Sequence, residues 1–191
     1  MDRLSTLQKK LTARPRQVMR IAGFRESAVL VPLILDKAGI DLLFTVRHDD
    51  LPTHAGQISF PGGKRDSTDI DLVQTAMREA REELGLEHAL ADQVNLIGLM
   101  DDVPTPSGFV ITPVVSALDA GLEISPSARE VASVFHASLE ALAEPSCYRS
   151  GGVHRFFGVE YVMHEYHYGE HRIWGATARV VHQLLSLVSA A

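Results

Sequence analysis

The stretch Arg78-Glu79-Ala80-Arg81-Glu82-Glu83-Leu84-Gly85-Leu86 concentrates more ionisable chemistry than any other part of the chain. If it is helical, residues three and four apart share a face, so Glu79, Glu82 and Glu83 fall within an arc of about 100° at roughly 3.6 residues per turn. Such a face is unfavourable by itself. A like-charged pair at the spacing of Glu79 and Glu83 costs about 0.2–0.5 kcal/mol, where an opposite charge would contribute as much. A divalent cation resolves the conflict, because Mg²⁺ prefers carboxylate oxygen, keeps several waters and completes its shell with substrate phosphates. For this segment taken alone, a solvated acidic face with Arg78 and Arg81 as partners is the better reading.

The residues before it change the balance. In Phe60-Pro61-Gly62-Gly63-Lys64 the paired glycines allow backbone to approach a ligand or metal with no side chain in the way. The helix that follows is bounded by local signals: Asp71 with Gln74 three residues on resembles a capping box, and Gly85 before Leu86 matches a glycine stop. Between them Leu72, Val73, Ala76, Met77, Ala80 and Leu84 form one apolar face. The carboxylates therefore sit in the last turns of a rigid rod.

Glycine, an acid-containing spacer and Arg-Glu-aliphatic-any-Glu-Glu-any-Gly-aliphatic together resemble the Nudix box. The second half departs only at Ala80, in an aliphatic slot. In the first half, the spacer from Gly63 to Arg78 is one residue longer than the general pattern. Strict counting back from Arg78 lands on Ile70, whereas Asp69 lies at the right distance from Gly63. A one-residue insertion of this kind is also a feature of the coenzyme A pyrophosphatase branch. Leu43-Phe44-Thr45-Val46-Arg47-His48, followed by Leu51, His54, Gly56, Gln57, Ile58 and Ser59, is similar to that branch too, with departures at Phe44, His48 and Pro52. Ile173-Trp174-Gly175-Ala176-Thr177-Ala178 near the C-terminus resembles it as well, so the likeness spans about residues 43–178.

The resemblance implies a pyrophosphohydrolase that uses Mg²⁺ or Mn²⁺. Glu79, Glu82 and Glu83 would ligate metal, the Gly63 carbonyl would be a possible further ligand, and Arg78 would orient a glutamate. The general base is then Glu79, Glu82 or a glutamate from a distal loop, for which Glu130 is the best candidate. Arg47, Lys64 and Arg65 are candidates for binding the anionic substrate. For coenzyme A the products would be 3′,5′-ADP and 4′-phosphopantetheine. Two alternatives stand beside it: hydrolysis of ADP-ribose, a dinucleotide or another nucleoside diphosphate derivative, and a non-catalytic nucleotide sensor of the same fold.

The remaining chain must position these groups. Leu4, Leu7, Lys10 and Leu11 predict a short helix ending near Arg14-Pro15, in a basic segment containing Arg3, Lys9, Lys10, Arg14, Arg16 and Arg20. A solvated basic helix is the expected role of that segment. Residues 28–35 and 40–46 predict a hairpin around Asp36-Lys37-Ala38-Gly39, and further strands are expected at 94–103, 109–118, 132–137, 153–157, 159–168 and 171–174. Short and long helices are expected at 139–143 and 176–188. This alternation indicates an α/β protein, a Nudix-like α/β/α sandwich with a mixed β-sheet. Residues 1–24 are expected as a helical, basic extension and 25–191 as the hydrolase domain, a single domain overall.

Composition limits the partners. A formal charge of −6 disfavours bulk nucleic-acid binding and favours a small-molecule nucleotide of the coenzyme A class. No apolar run approaches the roughly 20 residues of a membrane span. Cys147, the only cysteine, excludes an intrachain disulfide and suits a cytoplasmic setting. His164, His167 and His171 invite a zinc site, but strand alternation sends His164 and His167 to opposite faces. Trp174 and the tyrosines are expected to pack in the core or a hairpin. Nothing in the sequence fixes the oligomeric state.

Overall fold

In the computed structural model, residues 3–35, 39–48, 56–86, 94–156 and 159–189 are described. The expected turn residues Asp36, Lys37 and Ala38, the motif positions Leu51, Pro52 and His54, and Phe157 lie outside them. In chain order the elements are α1 (Arg3–Ala13), β1 (Arg25–Leu35), β2 (Ile40–Arg47), β3 (Ile58–Ser59), β4 (Gly62–Lys64) and α2 (Leu72–Leu84). They continue with β5 (Val94–Leu99), β6 (Val103–Pro104), β7 (Phe109–Leu118), β8 (Val131–Ser138) and α3 (Leu139–Ala143). The chain ends through β9 (Tyr148–Phe156), β10 (Val159–Tyr168), β11 (His171–Trp174) and α4 (Gly175–Ser189).

The main sheet is mixed. β1 runs parallel to β7 from Arg25 to Ile34, and antiparallel to β2 at Leu33–Leu35 and to β4 at Ser27–Val29. Because β7 occupies one whole edge of β1, β2 and β4 must share the other, one after the other along it. β2 also pairs with β8 and β3, while β5 and β6 pair with β7.

Alternation along the strands sorts their apolar side chains onto two faces. Val31, Leu33, Leu42 and Phe44 pack with Leu7 and Leu11 of α1 and with Val181 and Leu184 of α4. On the other face, Ala28, Leu30 and Val114 pack with Ala76 and Ala80 of α2, and Leu43 and Leu118 with Leu84. This is the expected three-layer arrangement. No helix among the described residues is long and apolar enough to cross a membrane.

The structure departs from the expectations in several places. The last three strands form a second, three-stranded sheet ordered β11-β10-β9, which docks through Tyr166 and Ile173 onto the α4 side of the core. β9 begins at Tyr148, ahead of the expected Val153, because Tyr148 and Arg149 extend the ladder with Tyr166 and Glu165. The expected strand over 94–103 is two strands, with Asp101 and Asp102 turned toward the N-terminal segment between them. Trp174, 39% exposed with the Arg172 guanidinium over its ring, takes the hairpin position, one of the two places expected for it.

The basic N-terminal segment is not simply solvated. Arg14 Nη1 donates to both Asp101 oxygens at 2.8 and 2.9 Å, and Arg16 Nη2 donates to Asp102 Oδ1 at 2.8 Å. Asp102, 2% exposed, also accepts from Met19 N at 2.8 Å and Thr112 Oγ1 at 2.7 Å. Residues 14–19 are thereby strapped across the end of β7. Removing one partner of a buried pair strands the other. Asp102→Ala should lower unfolding free energy by about 3 kcal/mol, near the low end for such pairs because Arg16 keeps some solvent contact. Urea denaturation at pH 7 reads this directly, and an unchanged midpoint would refute the assignment.

Candidate functional site

Helix α2 starts where its capping chemistry says it should. Asp71 is extended and accepts from Gln74 N at 2.8 Å, while Gln74 Oε1 accepts from Ile70 N at 2.6 Å. At the other end Gly85 adopts φ 66°, and its N–H donates to the Arg81 carbonyl. That left-handed cap favours glycine. It is also crowded, because a β-carbon there would lie 2.1 Å from the Ser125 carbonyl oxygen.

The extra residue of the preceding loop has a clear place. Ile70 is 83% exposed, while Asp69 turns inward at 5%. Asp69 is therefore a partner for Arg78: Nε donates to Oδ1 and Nη2 to Oδ2, both at 3.0 Å. Thr75 Oγ1 donates to Asp69 Oδ2 at 2.9 Å and Asp66 N to the same atom at 2.8 Å. The Arg78 guanidinium, helped by these donors, holds the Asp69 carboxyl well below the ordinary carboxylate range. Thr75, fully buried, played no part in the sequence reading. Its only sequence signal is a small hydroxyl on the otherwise apolar face of α2.

Arg78 spends its other donors on the site. Nη2 donates to the Lys64 carbonyl at 3.1 Å and Nη1 to Glu79 Oε1 at 2.8 Å, with Glu82 Oε1 3.5 Å from Nη1. One guanidinium thus joins the loop, the glycine strand β4 and two of the helix acids. Gly63 permits this packing, since a β-carbon there would sit 2.4 Å from the Glu79 carboxyl carbon. Gly62 is equally constrained, because its β-carbon would lie 2.4 Å from the Ala28 carbonyl oxygen.

The three helix acids occupy graded environments. The Glu82 side chain is 58% exposed, Glu79 17%, and Glu83 as a residue only 3%. Burial pushes the Glu79 carboxyl up against the opposing pull of Arg78. Burial also pushes Glu83 up to about 8, although the Arg47 charge and the Gly62 N–H draw it down. The Glu130 charge adds to the rise at both Glu79 and Glu83, so its field reaches the helix acids. Glu130 stands at the start of β8, where its carbonyl accepts from His48 N at 2.9 Å. Glu83 Oε2 is sealed from solvent and has no hydrogen-bond partner.

The expected binding cations divide. Arg47, at the end of β2, follows Leu43 and Thr45 onto the α2 side of the sheet and acts on Glu83. Lys64 is exposed beside Gly63. Arg65 is occupied: Nη1 donates to Glu26 Oε2 at 2.7 Å, and Nη2 to the carbonyls of Asp69 at 3.2 Å and Ile70 at 3.1 Å. It braces the loop. A depression of about 310 Å³ beside Lys64, Arg65 and Asp69 includes none of the four glutamates, so its position does not mark the carboxylate chemistry.

A divalent ion suits this donor set. An orphaned, buried carboxylate oxygen is a hard ligand with nothing to bind, and the upward shifts of Glu79 and Glu83, caused by burial and by neighbouring carboxylates, mark a shortage of positive charge. Among the described residues, no three acidic, histidine or cysteine side chains converge closely enough to enclose an ion. Ligation by Glu79 and Glu82 would therefore draw both away from Arg78. The histidines are engaged elsewhere: His164 accepts or donates at Tyr148 Oη, 3.1 Å away, and His167 lies 2.5 Å from Glu165 Oε1 on the opposite face.

The Asp69–Arg78 pair has a pH signature. The folded carboxyl lies below its unfolded value of about 3.9, so its contribution to stability is complete above that value. It disappears as pH falls through the folded value. Asp69→Asn should lose about 3 kcal/mol at pH 7 and show a flatter fall in stability below pH 4 than the parent protein. Guanidinium melts at pH 7, 4 and 3 test both features, and parallel pH slopes would be the wrong result.

The sequence profile of the NUDIX domain matches residues 24–157. An uncharacterized Nudix hydrolase NudL from Photorhabdus laumondii is 37% identical over 187 residues, covering 98% of this chain and 96% of its own. The NudL of Yersinia pestis strain Pestoides F, also uncharacterized, is 36% identical over 165 residues, covering 86% and 80%. Among solved structures, the Nudix hydrolase RenU of M. smegmatis superposes with TM-score 0.52 at 24% identity over 65% of this chain and 77% of its own. A C. elegans Ap4A hydrolase complex gives 0.51 at 20% identity over 60% and 80%. These two share the fold. With a matching domain profile over most of its length and relatives aligned nearly end to end, the chain belongs to the Nudix family, a hydrolase of the pyrophosphatase class acting on acid anhydrides.

Proposed function

We propose that this enzyme cleaves the diphosphate of coenzyme A or its derivatives, yielding 3′,5′-ADP and 4′-phosphopantetheine or its acyl form. The observation that carries the reading is the packing of Glu79 against Gly63 of the glycine strand, with Glu83 buried on the same helix and one of its carboxylate oxygens left unpartnered. The substrate choice rests on the segment from Leu43 to Gly63, which resembles the coenzyme A branch, and on the extra residue at Ile70.

Glu79, Glu82, Glu83 and the Gly63 carbonyl would hold Mg²⁺ or Mn²⁺. The bound ion would supply Lewis-acid stabilisation and a water acidic enough to attack phosphorus. The chain's own groups do the rest. Arg78, fixed by Asp69, sets where Glu79 lies. Lys64 and Arg47 supply positive charge for the diphosphate, while Arg65 acts indirectly by holding the loop. Glu130, whose charge acts on Glu79 and Glu83 from outside the helix, is the candidate to take a proton from water; Glu79 and Glu82 are the other candidates.

Incubation with coenzyme A, ADP-ribose and dinucleotides in the presence of Mg²⁺ or Mn²⁺, with product identification, tests the reading. Release of 4′-phosphopantetheine should be the fastest reaction. Faster cleavage of ADP-ribose or a dinucleotide would overturn the substrate assignment, and tight nucleotide binding without turnover would mark a sensor. Within the same assay, Glu82→Gln should lower kcat by about 10²- to 10⁴-fold. Loss of metal binding in that variant would assign Glu82 as a ligand, whereas retained binding would favour proton transfer.

A further inference from the structure

Two imidazoles lie flat on each other where the β9–β11 sheet meets α4. His164 of β10 and His182 of α4 stack with ring centroids 3.7 Å apart and planes at 12°. Each ring is met at Nδ1 by a tyrosine hydroxyl, His164 by Tyr148 at 3.1 Å and His182 by Tyr166 at 3.0 Å. Tyr148 comes from β9, and its ring centroid lies 5.5 Å from that of Tyr166, so three elements share one cluster. Besides His182, the one charge acting on His164 among the described residues is the Arg179 guanidinium, one turn back on α4. The nearby acids are engaged elsewhere: Glu165 with His167 and Arg172 on the outer face of the sheet, and Glu140 of α3 with Ser138. Lys10 of α1 donates to the Leu187 carbonyl at the far end of α4.

One proton makes this pair a cation beside Arg179. A second sets two like charges at stacking distance with no carboxylate to offset them. We propose that the His164–His182 stack is an acid-sensitive latch holding the β9–β11 sheet to α4, closed while both rings are neutral and opened by their protonation. Burial first, then His182 and Arg179, pushes the His164 imidazole down to about 4, and burial lowers His182 as well. Once separated, both rings meet water and take protons at about pH 6.5. Opening therefore takes up protons, so the latch is at full strength above that pH and weakens as pH falls toward 4. Thr177 of α4 donates to the Ile58 carbonyl of β3 at 3.1 Å, so the latch bears on the helix that anchors the approach to Gly62 and Gly63.

Amide hydrogen exchange on the full chain, corrected for its intrinsic pH dependence, reads the latch directly when combined with NMR titration of the histidine ring signals. Between pH 7 and 5 the amides of the β9–β11 ladder should lose at least about tenfold in protection relative to those of the β1–β7 ladder, with both histidines titrating below their ordinary range. The double variant His164→Phe/His182→Phe keeps two stacked rings without the protons, and its relative protection should not change between these pH values. Tyr148→Phe removes a hydroxyl partner but no charge, so it should lower protection by the same factor at both. An unchanged ratio of the two ladders in the parent protein overturns the latch, and so does a double variant with the parent's pH dependence. Should the double variant fail to fold, parent histidines that titrate near pH 6.5 while the β9–β11 ladder stays protected are equally fatal.

Discussion

The bidentate Arg78–Asp69 pair is the constraint on which the site depends. Arginine cannot shed its proton in this environment, and Asp69 is fixed by Thr75 and by the turn at Asp66, so the guanidinium has a set position and a set charge. From there it reaches the Lys64 carbonyl and Glu79, tying β4 to the middle of α2. Glycine at position 63 is the complement to that tie. Any side chain there would displace the Glu79 carboxylate from the strand, even with Arg78 in place.

The sheet supplies the opposite wall. Since β2 and β4 occupy successive parts of one edge of β1, the chain crosses the seam between them through Phe60 and Pro61, from β3 on β2 to β4 on β1. Helix α2 covers this seam, anchored by Ala76, Ala80 and Leu84. Arg47 and Glu130 arrive from the neighbouring ends of β2 and β8, whose register shifts between Val46 and Arg47. Apolar packing on one face of the helix thus determines how far its acids stand from the strand ends.

What could be read in advance was what local chemistry encodes. The limits of α2 follow from Asp71, Gln74 and Gly85, each acting within a few residues of the helix end, and the spacing of Glu79, Glu82 and Glu83 follows from helical periodicity. Counting alone could not decide between Asp69 and Ile70; the choice is made by burial, which sends the carboxylate to Arg78 and the apolar residue to solvent. Arg14 and Arg16 read as solvated because their partners stand 87 and 86 residues away. Arg65 read as a ligand for phosphate for the same reason, its partner Glu26 being 39 residues distant. The separate β9–β11 sheet was hidden because a period of two identifies strands but not which strands pair.

The distribution of charge also explains why these acids are not simply neutralised by the arginines around them. Arg78 is engaged by Asp69, so it can give Glu79 and Glu82 only one remaining edge, and Arg47 stops short of Glu83. Closing the Arg47–Glu83 gap would satisfy both groups, but it would bury an ion pair whose attraction must repay two desolvation costs of several kcal/mol each. It would also consume the one Glu83 oxygen that accepts no hydrogen bond. Leaving the gap open keeps Glu83 protonatable and under-compensated, an environment that a divalent ion relieves more completely than a guanidinium can, because it brings twice the charge to a single point. The instability is local and is carried by the apolar contacts of α2 with Leu30, Leu43 and Val114, which hold the acids together without needing any attraction between them.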